Sequence, residues 1–106
     1  MKFHGRDGRE GRTQNSGHVE IFYSDAWGTV CHDDWDLNDG TVACRMLGFQ
    51  RALTAPGRAR YGTGSGGIWL DDVKCLGTES TIHECRGLSW RIHNCLHAED
   101  ASVSCA

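Results

Sequence analysis

Residues 17–49 read GHVEIFYSDAWGTVCHDDWDLNDGTVACRMLGF, and the order of patterns along them decides the fold. Val19, Ile21 and Tyr23 alternate with Glu20 and Phe22, the period of a strand with one apolar face. Residues 27–31, WGTVC, are rich in β formers and predict a second strand. The period then changes. Asp36 stands where a carboxylate can accept the free N–H groups of a helix start, Asp39 lies in the first turn, where the helix dipole favours an acid, and Val42, Ala43, Met46 and Leu47 supply an apolar stripe. Gly48 stops that helix.

Working outward, residues 62–67 are a glycine-rich turn ahead of a strand at Ile68, Trp69 and Leu70. Residues 78–85 predict a short second helix, and residues 101–105 a final strand. Short strands with helices inserted make an α+β fold. Trp27, Trp35, Trp69 and Trp90 are expected as core or partly buried anchors, since indole rings contribute large apolar area.

Cys31, Cys44, Cys75, Cys85, Cys95 and Cys105 are six in number, and no two share the C-x-x-C spacing of a zinc knuckle or a redox site. An even, cysteine-rich set in a chain of 11.7 kDa predicts a disulfide framework outside the reducing cytosol. Spacing alone leaves fifteen connectivities open. The net charge of −3 and pI near 6.0 call for neither a nucleic-acid nor a membrane partner. No run reaches transmembrane length. The opening MKFHGRDGREGR is too polar for a signal peptide, so a mature fragment is expected, with secretion directed by sequence not shown.

Two words extend the opening stretch with its WGTVC and CRMLGF segments: YGTGSGGIWLDDVKCLGTESTIHEC at 61–85 and WRIHNCLHAEDASVSC at 90–105. Together, over residues 17–106, they resemble the scavenger receptor cysteine-rich (SRCR) domain in its six-cysteine form, group A. The resemblance implies a curved antiparallel sheet cradling one main helix. It also implies the pairs Cys31–Cys95, Cys44–Cys105 and Cys75–Cys85, the last closing the short second helix. The two long loops, of 64 and 61 positions, could each stabilise the fold by roughly 4 kcal/mol on a chain-entropy account. The additional bridge of the eight-cysteine form would need cysteine near Asn15 or Ser16 and at Phe49, and neither place has one. Residues 1–16 form a polar extension: Lys2 to His4 reads as a degenerate version of the family's first strand, and Gly5-Arg6-Asp7, Gly8-Arg9-Glu10 and Gly11-Arg12-Thr13 match the collagen period. Some receptors with this domain carry it after a collagenous stalk, which would imply a trimer.

Catalysis is not expected. Residues 62–67 formally match G-x-G-x-x-G, and Gly64-Ser65-Gly66-Gly67 imitates a protease serine segment, yet the nucleotide domain and the oriented base these motifs require are absent from the pattern. Paired cysteines are not thiolate ligands, so zinc is not expected despite His4, His18, His32, His83, His93 and His97. Asp33, Asp34, Asp36 and Asp39 instead crowd into seven positions, a hard-oxygen cluster suited to Ca2+ or Mg2+. The family resemblance implies a first cation site at His32, Asp33 and Glu99 and a second at Asp36, Asp39 and Asn94. His32 stands where the family usually has aspartate, which weakens the first site unless Asp34 substitutes.

Only Lys2 and Lys74 among the 11 basic residues are lysine. Guanidinium recognises carboxylate, sulfate and phosphate bidentately, and Arg51, Arg58 and Arg60, around Pro56, are the candidates to contact ligand from an exposed loop. Arg91 stands where the family's W-G-x-H-N-C word has glycine, and Ser102 replaces another glycine. The expected function is an extracellular ligand-binding module of a scavenger or innate-immune receptor, secreted or in a cell-surface ectodomain. It would use a divalent cation and arginines to hold anionic microbial, lipoprotein or glycan ligands. The competing reading is a protein-interaction module in a secreted mosaic protease or matrix-modifying enzyme.

Overall fold

The computed structural model describes residues 2–4, 15–86 and 88–106. The collagen-like triplets lie outside the described residues. Strands β1 (Lys2–His4), β2 (Ser16–Tyr23) and β3 (Ala26–Val30) precede helix α1 (Leu37–Met46), and β4 (Ala52–Thr54), β5 (Gly67–Leu70) and β6 (Ser102–Cys105) follow it. They form one six-stranded sheet in the order β4-β6-β2-β3-β5, with β1 also pairing β2. Four of its pairs are antiparallel, as expected, but β3 and β5 run parallel. A parallel pair needs a crossover, and the stretch containing α1 and β4 provides one between these two strands.

Helix α1 begins as its sequence directs. The Asp36 carboxylate accepts the Asp39 N–H at 3.0 Å, and the Asp39 carboxylate accepts the Asp36 N–H at 2.9 Å, a reciprocal capping box. Leu47 ends the helix, and Gly48 follows at φ +94°, a conformation that costs glycine nothing. Val42 and Ala43 are fully buried, packed with Val19, Ile21, Val30, Leu70, Val73, Ile82, Ala101 and Val103. Trp35 joins them and donates its indole N–H to the Ser102 carbonyl at 3.1 Å. The other indoles lie further out: Trp69 and Trp90 are half-buried, and Trp27 is exposed.

The second helix is shorter than expected, a single 3-10 turn at Ile82–Glu84. Ile82 is the one residue of that turn with a buried side chain; the Glu84 carboxylate accepts the Ser80 and Thr81 N–H groups and caps its start, and Cys85, in extended backbone and bridged to Cys75, ends it after one turn. All six cysteines are paired as the resemblance implied: Cys31–Cys95, Cys44–Cys105 and Cys75–Cys85. The first bridge fastens the residue after β3 to the loop before a second 3-10 turn, His97–Glu99, and the second fastens α1 to β6.

Strand β2 departs from simple alternation. Glu20 and His18 are both buried, with His18 Nε2 at 2.6 Å from Glu20 Oε2. The glycine-rich segment roofs them: a Cβ on Gly64 would lie 2.4 Å from Thr29 Cγ2 and 3.2 Å from His18 Nε2, so only glycine passes that close. Gly64 N–H donates to Asp100 Oδ2 at 2.7 Å, and His97 holds the same loop by contacts to Asp100 at 3.0 Å and to the Gly66 carbonyl at 3.0 Å.

Candidate cation and anion-binding surface

Parallel pairing sets this surface. Cys31 N–H donates to the Leu70 carbonyl at 2.8 Å, so the residues that leave β3 and β5 emerge side by side. Asp33 leaves one strand and Asp71 the other, and the Cys31–Cys95 bridge adds Asn94 between them. One amide atom of Asn94 lies 3.2 Å from both Asp33 Oδ2 and Asp71 Oδ2. With nitrogen there, the side chain bridges two carboxylates by hydrogen bonds. With oxygen there, it makes three converging oxygen donors, the kind of ligand a hard cation takes, with the remaining positions left to water or a bound ligand. Burial, then the charges of Asp72 and Asp33, pushes the Asp71 carboxyl above its ordinary range. A cation would relieve that repulsion.

The expected first group also assembles. His32, Asp33 and Glu99 present ligand atoms within 4.8 Å of one another. Its chemistry is altered by the imidazole. His32 Nδ1 accepts the Arg58 N–H at 2.7 Å, which leaves the ring proton on Nε2, 3.6 Å from Asp33 Oδ1 and 3.7 Å from Glu99 Oε2. A donor therefore faces the two acids where a further oxygen ligand would have faced a cation. Asp34 does not substitute: it is turned away at φ +61°, with Oδ2 4.0 Å from Lys74 Nζ.

The expected second group, Asp36 with Asp39 and Asn94, is not brought together. Asp39 is fully buried and both its oxygens accept backbone N–H groups, Oδ2 from Asp36 and Oδ1 from Cys75 at 2.7 Å. Asp36 caps the helix, while Asn94 faces Asp33 and Asp71. Asp71 is the candidate ligand that sequence reading missed. Its signal was the adjacent acid pair in IWLDDVKC directly after a strand, but only the unforeseen parallel register makes that pair a neighbour of Asp33.

Arg58 and Arg60 line a cleft of about 450 Å³ with His32, Pro56 and Gly57. The loop is fastened by Ala59 N–H to the Asp100 carbonyl at 2.9 Å, and Gly57 sits so close to His32 that a Cβ would meet its ring at 2.6 Å. His32 thus touches the arginine loop on one side and the acid cluster on the other. Arg51 lies outside this cleft, exposed just before β4.

The profile of the scavenger receptor cysteine-rich domain matches residues 9–106. This chain belongs to that family. Among similar proteins, the macrophage receptor MARCO of Mus musculus is 54% identical over 94 residues, covering 87% of this chain and 17% of the receptor. Galectin-3-binding protein of Pongo abelii is 52% identical over 96 residues, 91% of this chain and 16% of that protein. Lysyl oxidase homolog 4 of Mus musculus is 51% identical over 89 residues, 84% and 12% respectively. The chain therefore spans less than a fifth of these relatives. In three dimensions it resembles the dimeric form of the SRCR domain of mouse MARCO, with a TM-score of 0.81 and 50% identity, covering 92% of this chain and 93% of that one. The third SRCR domain of murine neurotrypsin gives a TM-score of 0.79 at 40% identity, covering 98% and 96%.

The SRCR domain is a binding module, and its glycine-rich segment serves here as the lid over His18 and Glu20. Among the described residues no helix is long and apolar enough to cross a membrane. One feature of this SRCR domain stands apart from the acid cluster. Arg91 has φ +69°, and its guanidinium carbon lies 5.2 Å from the centre of the Trp69 ring and 5.8 Å from that of Tyr23. The left-handed backbone costs a side-chain-bearing residue about 1–2 kcal/mol, and two exposed cation–π contacts return about 0.5–1 kcal/mol each. These nearly cancel, so stability gives no strong reason for arginine at this position.

Proposed function

We propose that this SRCR domain is an extracellular module that binds anionic macromolecules through a divalent cation and the arginine loop together. The observation that carries the reading is their continuity: His32 contacts the Arg58 backbone at 2.7 Å and lies beside Asp33, whose other neighbours are Asn94 and Asp71. Ca2+ or Mg2+ would be held by Asp33, Asp71 and Asn94, with Glu99 at the edge of the same cluster. The cation would supply a positive centre for sulfate, phosphate or carboxylate groups, while Arg58 and Arg60 reach the same ligand with bidentate hydrogen bonds. Three disulfides agree with a secreted protein or the ectodomain of a surface protein. Similarity to MARCO, named a macrophage receptor, supports a scavenger-type, innate-immune setting. Display as a trimer on a stalk would raise avidity by roughly 10²- to 10⁴-fold.

The matches to galectin-3-binding protein and lysyl oxidase homolog 4 support a second reading, a protein-interaction module within a mosaic protein. Calorimetric Ca2+ titration, followed by heparin binding with Ca2+ and with chelator, separates the two. Asp71→Asn is expected to weaken Ca2+ affinity by about tenfold or more, and Asp36→Asn to leave it nearly unchanged. Heparin binding indifferent to chelator and to salt would remove the cation-bridge reading and favour the protein-interaction one.

A further inference from the structure

The β2–β3 end of the sheet carries a group of half-buried aromatic rings. Tyr23 stacks on Trp90 with ring centres 4.0 Å apart and an interplanar angle of 7°, and Trp69 meets Tyr23 edge-on at 5.9 Å. Trp69 is fixed from several sides: its indole N–H donates to the Ala26 carbonyl at 3.1 Å, and the ring covers Gly28 and Gly67, where an added Cβ would lie 2.6 Å and 2.9 Å from its atoms. The Arg91 N–H in turn donates to the Trp69 carbonyl at 2.8 Å, which anchors the left-handed residue to β5.

We infer that Arg91, held over Trp69 and Tyr23, is an additional anion-binding point, recognising the sulfate or carboxylate groups of acidic saccharides. Aromatic rings contact a guanidinium without using up its N–H donors, so the fork stays available to match the two oxygens of a carboxylate or sulfate. No carboxylate among the described residues forms an ion pair with it. Because rings and backbone already limit its conformations, less freedom is lost on binding than for an unsupported arginine. The strained backbone points the same way. Glycine would occupy φ +69° without penalty, and such outliers persist where the site has a use for them. Half-buried Trp90, stacked on Tyr23, and its exposed neighbour His83, with ring centres 5.4 Å apart, extend the same aromatic group, and apolar surface next to an anion-binding point favours a saccharide over a free inorganic ion. This assignment rests on the anion-binding reading above and adds a contact that lies outside the Arg58 and Arg60 cleft.

The test uses the 106-residue chain with two probes, a heparin-derived hexasaccharide carrying sulfate and carboxylate and an oligogalacturonate carrying carboxylate alone. The Arg91 Nε–H resonance is followed during titration, and affinities are measured by calorimetry for the native chain, Arg91→Gly and Arg91→Lys. The resonance is expected to move on saturation with at least one probe, and which probe moves it identifies the oxyanion. Arg91→Gly is expected to unfold at the same or a higher temperature yet bind about two- to tenfold more weakly, with Arg91→Lys also weakened because it lacks the fork. Saccharide binding that leaves the Arg91 resonance in place, or equal affinity for Arg91→Gly, would overturn this inference and leave the proposed function standing. No binding of either saccharide by the native chain, with Ca2+ at low salt, would overturn both.

Discussion

Replacing Asp39 by Ala removes the one carboxylate of the helix start that is fully buried. Two backbone donors lose their acceptor, Asp36 N–H at 2.9 Å and Cys75 N–H at 2.7 Å. A helix-start carboxylate is worth about 0.5–2 kcal/mol and a buried donor left unsatisfied costs about 1–3 kcal/mol, so the loss should be about 3 kcal/mol. For a domain of this size that corresponds to a fall in Tm of roughly 10–20 °C. Burial, set against the two backbone hydrogen bonds and reinforced by the nearby Asp36 charge, raises the Asp39 carboxyl from 3.8 to about 7. The native state then binds a proton that the unfolded chain has released between those two values, so this group makes the fold less stable as pH rises from about 4 to 7. Urea unfolding followed by tryptophan fluorescence, with disulfides intact, at several pH values in that window, measures both effects. Asp39→Ala should lower stability and flatten that part of the pH dependence. A loss below about 1 kcal/mol with an unchanged pH slope would refute the account, because it would mean that Asp39 joins neither α1 nor the Cys75 segment in the way described.

Gly64→Ala should destabilise by about 1–3 kcal/mol, since its methyl would meet Thr29 Cγ2 at 2.4 Å inside a roofed polar cluster; an unaltered urea midpoint would show that the lid has room. His97 is a pH-dependent fastening of the same lid: burial lowers its pKa, but the Gly66 carbonyl and then Asp100 more than offset this and raise it above 6.5. Its stabilisation is therefore fully present below about pH 6.5 and lost as pH rises through the raised value, and His97→Gln should lose more stability at pH 6 than at pH 8.5 in the same assay.

The sequence by itself determined the elements whose causes are local. Asp36, Asp39, the stripe from Val42 to Leu47 and Gly48 specify α1, because caps, helical spacing and a left-handed terminator act within a few residues of each other. Alternation in β2 and the β formers of β3 likewise identified the strands, and the even cysteine set announced the framework, although its pairing was legible only through family resemblance. What the tertiary structure alone decided are contacts between residues far apart in the chain. The parallel register of β3 with β5 made Asp71 a neighbour of Asp33 and Asn94, while Cys75, 36 positions from Asp39, engaged an acid that local reading placed at the helix start and the family resemblance placed in a cation site. Glu20 looked solvent-facing by period, yet a glycine loop from beyond residue 60 covers it. In each case the outcome depends on which distant backbone arrives, and a periodicity of two or 3.6 residues carries no information about that.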